Sequence, residues 1–269
     1  MKFCIAIGKT TTPTTPLLLE GNYAESIRTA GSIGFNAVEI HTPDPEELGT
    51  EELLSTCREC GVSIETIGTG ILYGKYKLHL MDQDEERRKY LIERVKAYID
   101  VAKRLGSRIT IGSIKGNVPI NEDRGKYLDT LKSSLSAISE YASEKGVIVL
   151  LEATNRFENN VLNTAKEVYD IIDKNKLKNF MALLDSFHIN IEESDIAGCL
   201  TDAGKYLGYI HFGDNHRRYP GSGAFNFDKF CKGIKDIGYN GVLSAECFPQ
   251  PDGLTAARET MKFFGKYFG

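Results

Sequence analysis

The stretch VIVLLEATNRFEN (Val147–Asn159) opens with five apolar residues in a row and then turns polar. A short continuous apolar run of this kind, preceded by Gly146, reads as a strand buried on both faces, as in parallel sheets covered on each side. The run ends in Glu152, with Asn155, Arg156 and Glu158 close behind. A carboxylate at the end of a buried strand is unfavourable unless a cation meets it. The segment therefore poses a question of fold and a question of charge.

Comparable strand-like runs lie at Phe3–Ile7, Ala37–His41, Val62–Thr69, Arg108–Ile114, Phe180–Phe187, Leu207–Gly213 and Gly241–Phe248, and the opening strand itself is expected over Val147–Thr154. Between them run amphipathic segments such as YAESIRTAGSIG, EERRKYLIERVKAYIDVAKRLG and YLDTLKSSLSAISEYASEKG. In the second of these, Tyr90, Ile92, Val95, Ile99 and Ala102 recur at helical spacing and predict one buried face. Gly34, Gly61, Gly106, Gly146 and Gly238 each close a helical segment just before a strand, where a helix-terminating glycine belongs. Eight strands alternating with helices predict an α/β fold, a single (β/α)8 TIM barrel over residues 1–269, for which ~250 residues is typical. A doubly wound open sheet would call for a glycine-rich nucleotide turn after an early strand, and AIGKTTTPTTP is not one.

Composition narrows the function classes. The 269 residues carry a net charge of −4, which argues against nucleic acid as the main partner. No apolar stretch approaches the ~20 residues needed to span a bilayer, so no membrane partner is expected. The short apolar run after Lys2 ends at Gly8 and Lys9 and does not resemble a signal peptide. Cys57 and Cys60 form a lone C-x-x-C near a helix end, with no second pair to complete a zinc site. They read as ordinary thiols of a reducing cytoplasm.

In a barrel of this kind, functional groups gather at the C-terminal ends of the strands. The fifth strand ends at Glu152. The sixth carries Asp185, with His188 three residues on. The seventh carries His211, with Arg217 in the next loop, and the eighth carries Glu246. Four consecutive strands thus deliver Glu, Asp, His and Glu to one rim. Three carboxylates and an imidazole suit one divalent ion that accepts mostly oxygen, Mn²⁺, Mg²⁺ or Co²⁺ rather than structural zinc. His41 could line the same opening or be a loop histidine. His79 is expected in a covering loop, His216 in solvent, and the acidic run NIEESD capping or solvating the next helix.

The segments EATNRFEN, LLDSFHINIEE, HFGDNHRRYPGSG and AECF resemble the matching strand ends of the D-tagatose 3-epimerase (D-psicose or allulose 3-epimerase) family, within the xylose-isomerase-like TIM barrels of sugar isomerases and epimerases. The resemblance implies that Glu152, Asp185, His211 and Glu246 bind the metal, and that Glu158, His188 and Arg217 bind the substrate's oxygens. It also implies a homodimer or homotetramer. TIGTGILYGKYKLHL and ITIGSIKGNVP look closer to relatives acting on keto sugar acids, such as 5-keto-L-gluconate epimerases. There Lys115 departs from the plain ketose pattern: it could bind a substrate carboxylate or phosphate, or be solvated.

The chemistry this implies is C3 epimerisation of a ketose through an enediolate. One of Glu152 and Glu246 removes a proton and the other returns one to the opposite face. A keto sugar acid epimerase and an aldose–ketose isomerase use the same groups. A nuclease of the endonuclease IV type would want a histidine-rich rim, whereas this chain has five histidines in all. A non-catalytic sugar-binding barrel would have no use for the paired glutamates.

Overall fold

The computed structural model describes residues 1–269. Eight parallel strands close on themselves: β1 (Lys2–Gly8), β2 (Ala37–His41), β3 (Ser63–Gly68), β4 (Arg108–Ile111), β5 (Val149–Glu152), β6 (Phe180–Asp185), β7 (Leu207–Phe212) and β8 (Val242–Ala245). Each pairs with the next, and β8 returns to β1 through Lys2↔Val242 and Cys4↔Ser244, so no barrel edge is left open. A two-residue strand, Leu19–Glu20, adds to the outside of β1 at Ile7 and Gly8.

The helices are α1 (Tyr23–Ile33), α2 (Thr50–Cys60), α3 (Ile71–Tyr76), α4 (Glu85–Leu105), α5 (Arg124–Lys145), α6 (Ala165–Lys174), α7 (Ser186–Glu192), α8 (Gly198–Ala203), α9 (Phe227–Asp236) and α10 (Gly253–Phe268). Five helix-ending glycines fall where the sequence places them, all at positive φ; Gly106, for example, has φ 67° and closes α4 onto the carbonyls of Ala102 and Lys103. In α4 the buried stripe is Leu91, Val95, Tyr98, Ile99 and Ala102, while Tyr90 is 58 % exposed. The 3.6-residue period was legible there, but its phase was off by one residue at the N-terminal end.

Several strands are shorter than expected, and the reason is local. β6 stops at Asp185 rather than Phe187 because the Asp185 side chain caps α7, Oδ1 accepting from the Phe187 N–H at 2.8 Å. β4 stops at Ile111, and Gly112 leads into a single 3₁₀ turn over Ser113–Lys115. β5 starts at Val149 and ends at Glu152, after which the chain enters a loop held by side chains. Asn163 donates to the carbonyls of Thr154 and Asn159, and Asn159 donates to the carbonyl of Gly116. The loops after β4 and β5 are thereby tied together.

Two apolar regions form around this sheet. The larger lies between strands and helices, with Ile5, Val38, Ile40, Leu151 and Leu184 meeting helix residues such as Ile27, Val95 and Leu135. The smaller comprises Cys4, Ala37, Leu150, Leu183, Tyr209 and Val242. Because strand side chains alternate between faces, these residues point toward the barrel axis and plug it, a packed interior rather than a pore.

Candidate active site and metal centre

The plug determines where the polar layer sits. Two residues beyond Leu150, Leu183, Tyr209 and Val242 on the same faces come Glu152, Asp185, His211 and Ser244, and two beyond Ser244 comes Glu246. Register aligns them, with Asp185 paired to His211 and His211 to Ser244. One ligand-capable atom from each of Glu152, Asp185, His211 and Glu246 lies within 4.8 Å of the others, and all four residues are buried.

His211 fixes the polarity of this cluster. Its Nε2 lies 3.0 Å from Glu39 Oε2, and an ionised carboxylate only accepts, so Nε2 carries the proton. Nδ1 then faces Glu246 Oε2 at 3.4 Å, Glu152 Oε1 at 3.6 Å and Asp185 Oδ2 at 3.9 Å. Nδ1 and Glu152 Oε1 are both buried with no hydrogen-bond partner. Buried polar atoms left this way are rare, and these two belong to one cluster.

Charge points the same way. Glu39, Glu152, Asp185 and Glu246 are four buried carboxylates, whereas Lys115 and Arg217 are the two buried basic side chains around them. The cluster is left net negative. It also draws protons to imidazoles: against the effect of burial, Glu39 and Glu246 raise the pKa of both His211 and His41. The two glutamates diverge. Burial, reinforced by Glu246 and Asp185, raises Glu152, while His211 and Arg217 overcome burial at Glu246 and hold it at about 2. The donor set, the unpartnered atoms and the charge count all suit one divalent cation. A second group, Glu39, His41 and Glu246, also lies within reach of a common point. Both oxygens of Glu39 are already hydrogen-bonded to histidines.

Around this centre the structure gathers Glu158, His188 and Arg217. Arg217 sits in a turn at φ 64°, an uncommon backbone for a non-glycine residue, held by its N–H on the Asp214 carbonyl at 2.8 Å. Its guanidinium bridges Asp185 and Glu246 and lies over the Phe187 ring, 4.8 Å from the centroid. His188 is buried, and burial together with Arg217 and Lys115 pushes its pKa well down, leaving the ring neutral. Asn155 Oδ1 accepts from the Phe157 N–H at 2.9 Å, so Nδ2 is its donor, reaching Glu158 Oε1 at 3.0 Å and His188 Nδ1 at 2.7 Å. The His188 proton is therefore on Nε2, which lies 3.7 Å from Glu152 Oε1. Arg156 forks onto Glu192 of α7 and fastens the Glu158 loop from outside.

Lys115 is a correction. It is neither solvated nor part of the cavity lining: it is fully buried, with Nζ donating to the Glu152 carbonyl at 2.6 Å and Thr154 Oγ1 at 3.1 Å. The 3₁₀ turn after β4 aims it behind the end of β5, so it braces the strand end that carries Glu152. His41 lines the cavity. His79 lies off it, against Asp82 and Tyr73, and His216 is exposed. Within NIEESD, Asp195 accepts from the Ala197 N–H at the start of α8, as expected of a cap, while Glu193 accepts from the N–H of Ala165 at the start of α6.

Two features were missed in the sequence. Glu39 is one, and its signal is an acidic residue inside the apolar strand AVEIH. Gly112 was read as part of a strand, yet a Cβ there would overlap Glu152 Oε2. Only glycine lets β4 pass this close to the carboxylate.

The cavity over the centre has a volume of about 320 Å³ and is lined by residues including Thr14, His41, Gly74, Ser113, Glu158 and His188. Its lining contains no lysine, and its one arginine, Arg217, is taken by Asp185 and Glu246. A larger groove of about 700 Å³ runs beside α3 and α4, but its arginines are already paired, Arg87 with Asp82 and Arg94 with Asp44.

Comparison with known proteins shows the family of the chain. A family model described as xylose isomerase-like TIM barrel matches residues 27–267. The chain is 31 % identical to a D-psicose 3-epimerase of Ruminiclostridium cellulolyticum, over 88 % of this chain and 82 % of that one. It is 29 % identical to a ketose 3-epimerase of Arthrobacter globiformis, over 83 % and 76 % of the two chains. Among solved structures, a D-psicose 3-epimerase crystallised in the presence of D-fructose superposes with a TM-score of 0.85 over 100 % of both chains, at 21 % identity.

Proposed function

The chain belongs to the xylose isomerase-like TIM barrel family, and on that premise we propose that it is a divalent-metal-dependent epimerase of a neutral ketose, acting at C3, the carbon beside the ketone. The observation that carries this reading is the pair Glu152 and Glu246, both opening on one cavity beside the unpartnered Nδ1 of His211. The names of the relatives at 31 % and 29 % identity, a D-psicose and a ketose 3-epimerase, support the position of the reacting carbon.

A C–H next to a ketone is a weak acid, and inverting that carbon needs a base on one face and an acid on the other. Glu152, from β5, and Glu246, just beyond β8, enter the cavity from different strands. One takes the proton, the other delivers one to the opposite face, and their roles exchange with the direction of reaction. Held by Glu152, Asp185, His211 and Glu246, a divalent ion, Mn²⁺ before Co²⁺ or Mg²⁺, would supply Lewis-acid polarisation of the substrate carbonyl. His188, neutral and protonated on Nε2, donates a hydrogen bond to a substrate oxygen without giving up its proton. Arg217 adds positive potential where negative charge develops. Glu158, half exposed at the rim, accepts from a hydroxyl.

The substrate is neutral because the cavity has no free cation for a carboxylate or phosphate. Lys115, turned behind β5, is not offered to a substrate carboxylate. A panel of free ketopentoses and ketohexoses, keto sugar acids and ketose phosphates, run with Mn²⁺, tests this. Turnover of the free ketoses is expected; turnover confined to the acids or phosphates would overturn the assignment. We further place the enzyme in the cytoplasm, where its six free thiols stay reduced. The resemblance supports a homodimer or homotetramer.

A further inference from the structure

We infer that Glu39 is a positioning residue that sets two imidazoles at once, presenting His211 Nδ1 as a bare lone pair to the metal and turning His41 into the cavity beside Glu246. The inference rests on the metal-centre reading above and assigns the residue that makes His211 a competent ligand. Glu39 is fully buried in the middle of β2, and both of its oxygens are used: Oε2 lies 3.0 Å from His211 Nε2 and Oε1 lies 2.7 Å from His41 Nε2. A carboxylate accepts only, so each histidine must carry its proton on Nε2. For His211 this leaves Nδ1 free, facing Glu152, Asp185 and Glu246.

The surroundings maintain this arrangement. The pairing of β2 with β3 slips at Glu39, where Val38 faces Ile64 but Glu39 faces Thr66, a local irregularity of the kind that re-aims a side chain. His41 is trapped from its other side by Gly68, where a Cβ would overlap the ring, and its Nε2 lies 3.8 Å from Glu246 Oε1. The edge of Tyr209 packs on His211, with ring centroids 5.4 Å apart. Neither imidazole has an obvious way to turn over while Glu39 holds both. Carboxylates that orient a ligating histidine in this manner typically contribute about 10–100-fold to metal affinity.

A glutamine at this position separates orientation from charge and packing. Its amide has one accepting and one donating end, so it cannot accept from both histidines. The Mn²⁺ dissociation constant of the full chain, read from the electron paramagnetic resonance of free ion, should rise about 10–100-fold in Glu39→Gln. His41→Ala alone should stay close to wild type. In Glu39→Gln/His41→Ala only one histidine remains to satisfy, the amide carbonyl can face His211, and most of the lost affinity should return. Loss of charge or packing would not be repaired by removing a further side chain. A double variant as weak as Glu39→Gln would overturn the inference, as would wild-type affinity in Glu39→Gln. If wild type bound none of Mn²⁺, Co²⁺ or Mg²⁺, the metal-centre reading itself would fall. Nitrogen-15 spectra of the unaltered chain loaded with Mg²⁺ check the same point without any variant: His211 and His41 should both be Nε2–H tautomers, and an Nδ1–H signal for His211 would overturn the proposal.

Discussion

Asn155 Nδ2 lies 2.7 Å from His188 Nδ1, and that contact decides which nitrogen of His188 faces the cavity with a proton. Replacing Asn155 with alanine leaves a buried ring nitrogen without its donor, a loss of about 1–3 kcal/mol in comparable cases. Since His188 is assigned to hold substrate, kcat/KM should fall by about tenfold or more, with KM rising. Steady-state kinetics check this; unchanged KM would mean that His188 does not hold the substrate.

Gly112→Ala sets a Cβ against Glu152 Oε2. The carboxylate must shift, and displacements near 1 Å in a reacting group can lower turnover by about 10²-fold. The fold should be little affected, because the clash is relieved into the cavity. Turnover and thermal unfolding measured on the same preparation test both halves. A large drop in Tm with turnover intact would show that Gly112 serves the barrel and not Glu152.

Lys115→Met removes the cation behind β5. The Glu152 carbonyl and Thr154 hydroxyl lose a buried donor, which should lower stability by about 1–3 kcal/mol. The ratio of activity on keto acids to that on ketoses should not change, because Lys115 does not line the cavity. Denaturant unfolding and paired rate measurements test this. A selective loss on keto acids would return Lys115 to the substrate.

These residues show what the sequence did and did not reveal. Alternation of apolar runs with amphipathic segments was enough for the barrel, and strand-end placement was enough to expect Glu152, Asp185, His211 and Glu246 on one rim. Contacts set by geometry at close range were not visible. Whether Lys115 points into the cavity or behind β5 depends on one 3₁₀ turn, and a four-residue strand gives no periodicity from which to read it. Glu39 could have been found by its charge in an apolar strand. Its link to His211, 172 residues away, required the closed barrel.

The outer brace predicts a pH effect. A hydrogen bond from Arg156 holds the Glu192 carboxyl below its ordinary range. A lowered folded-state pKa stabilises the protein above the unfolded value, about 4.3 for glutamate, and that contribution is lost as pH falls through the folded value. Arg156→Ala should therefore be less stable than wild type at neutral pH, and the gap should close below about pH 4. Unfolding free energies across pH test this. A gap that persists in acid would show that the pairing does not depend on ionised Glu192.

The central claim is that Glu152 and Glu246 exchange protons with the substrate from opposite faces. The most direct test is to run the wild-type reaction on a free ketose with Mn²⁺ in D₂O and locate deuterium in the product by NMR. The account predicts solvent deuterium at the epimerised carbon. Epimerised product with only protium at that carbon would contradict it.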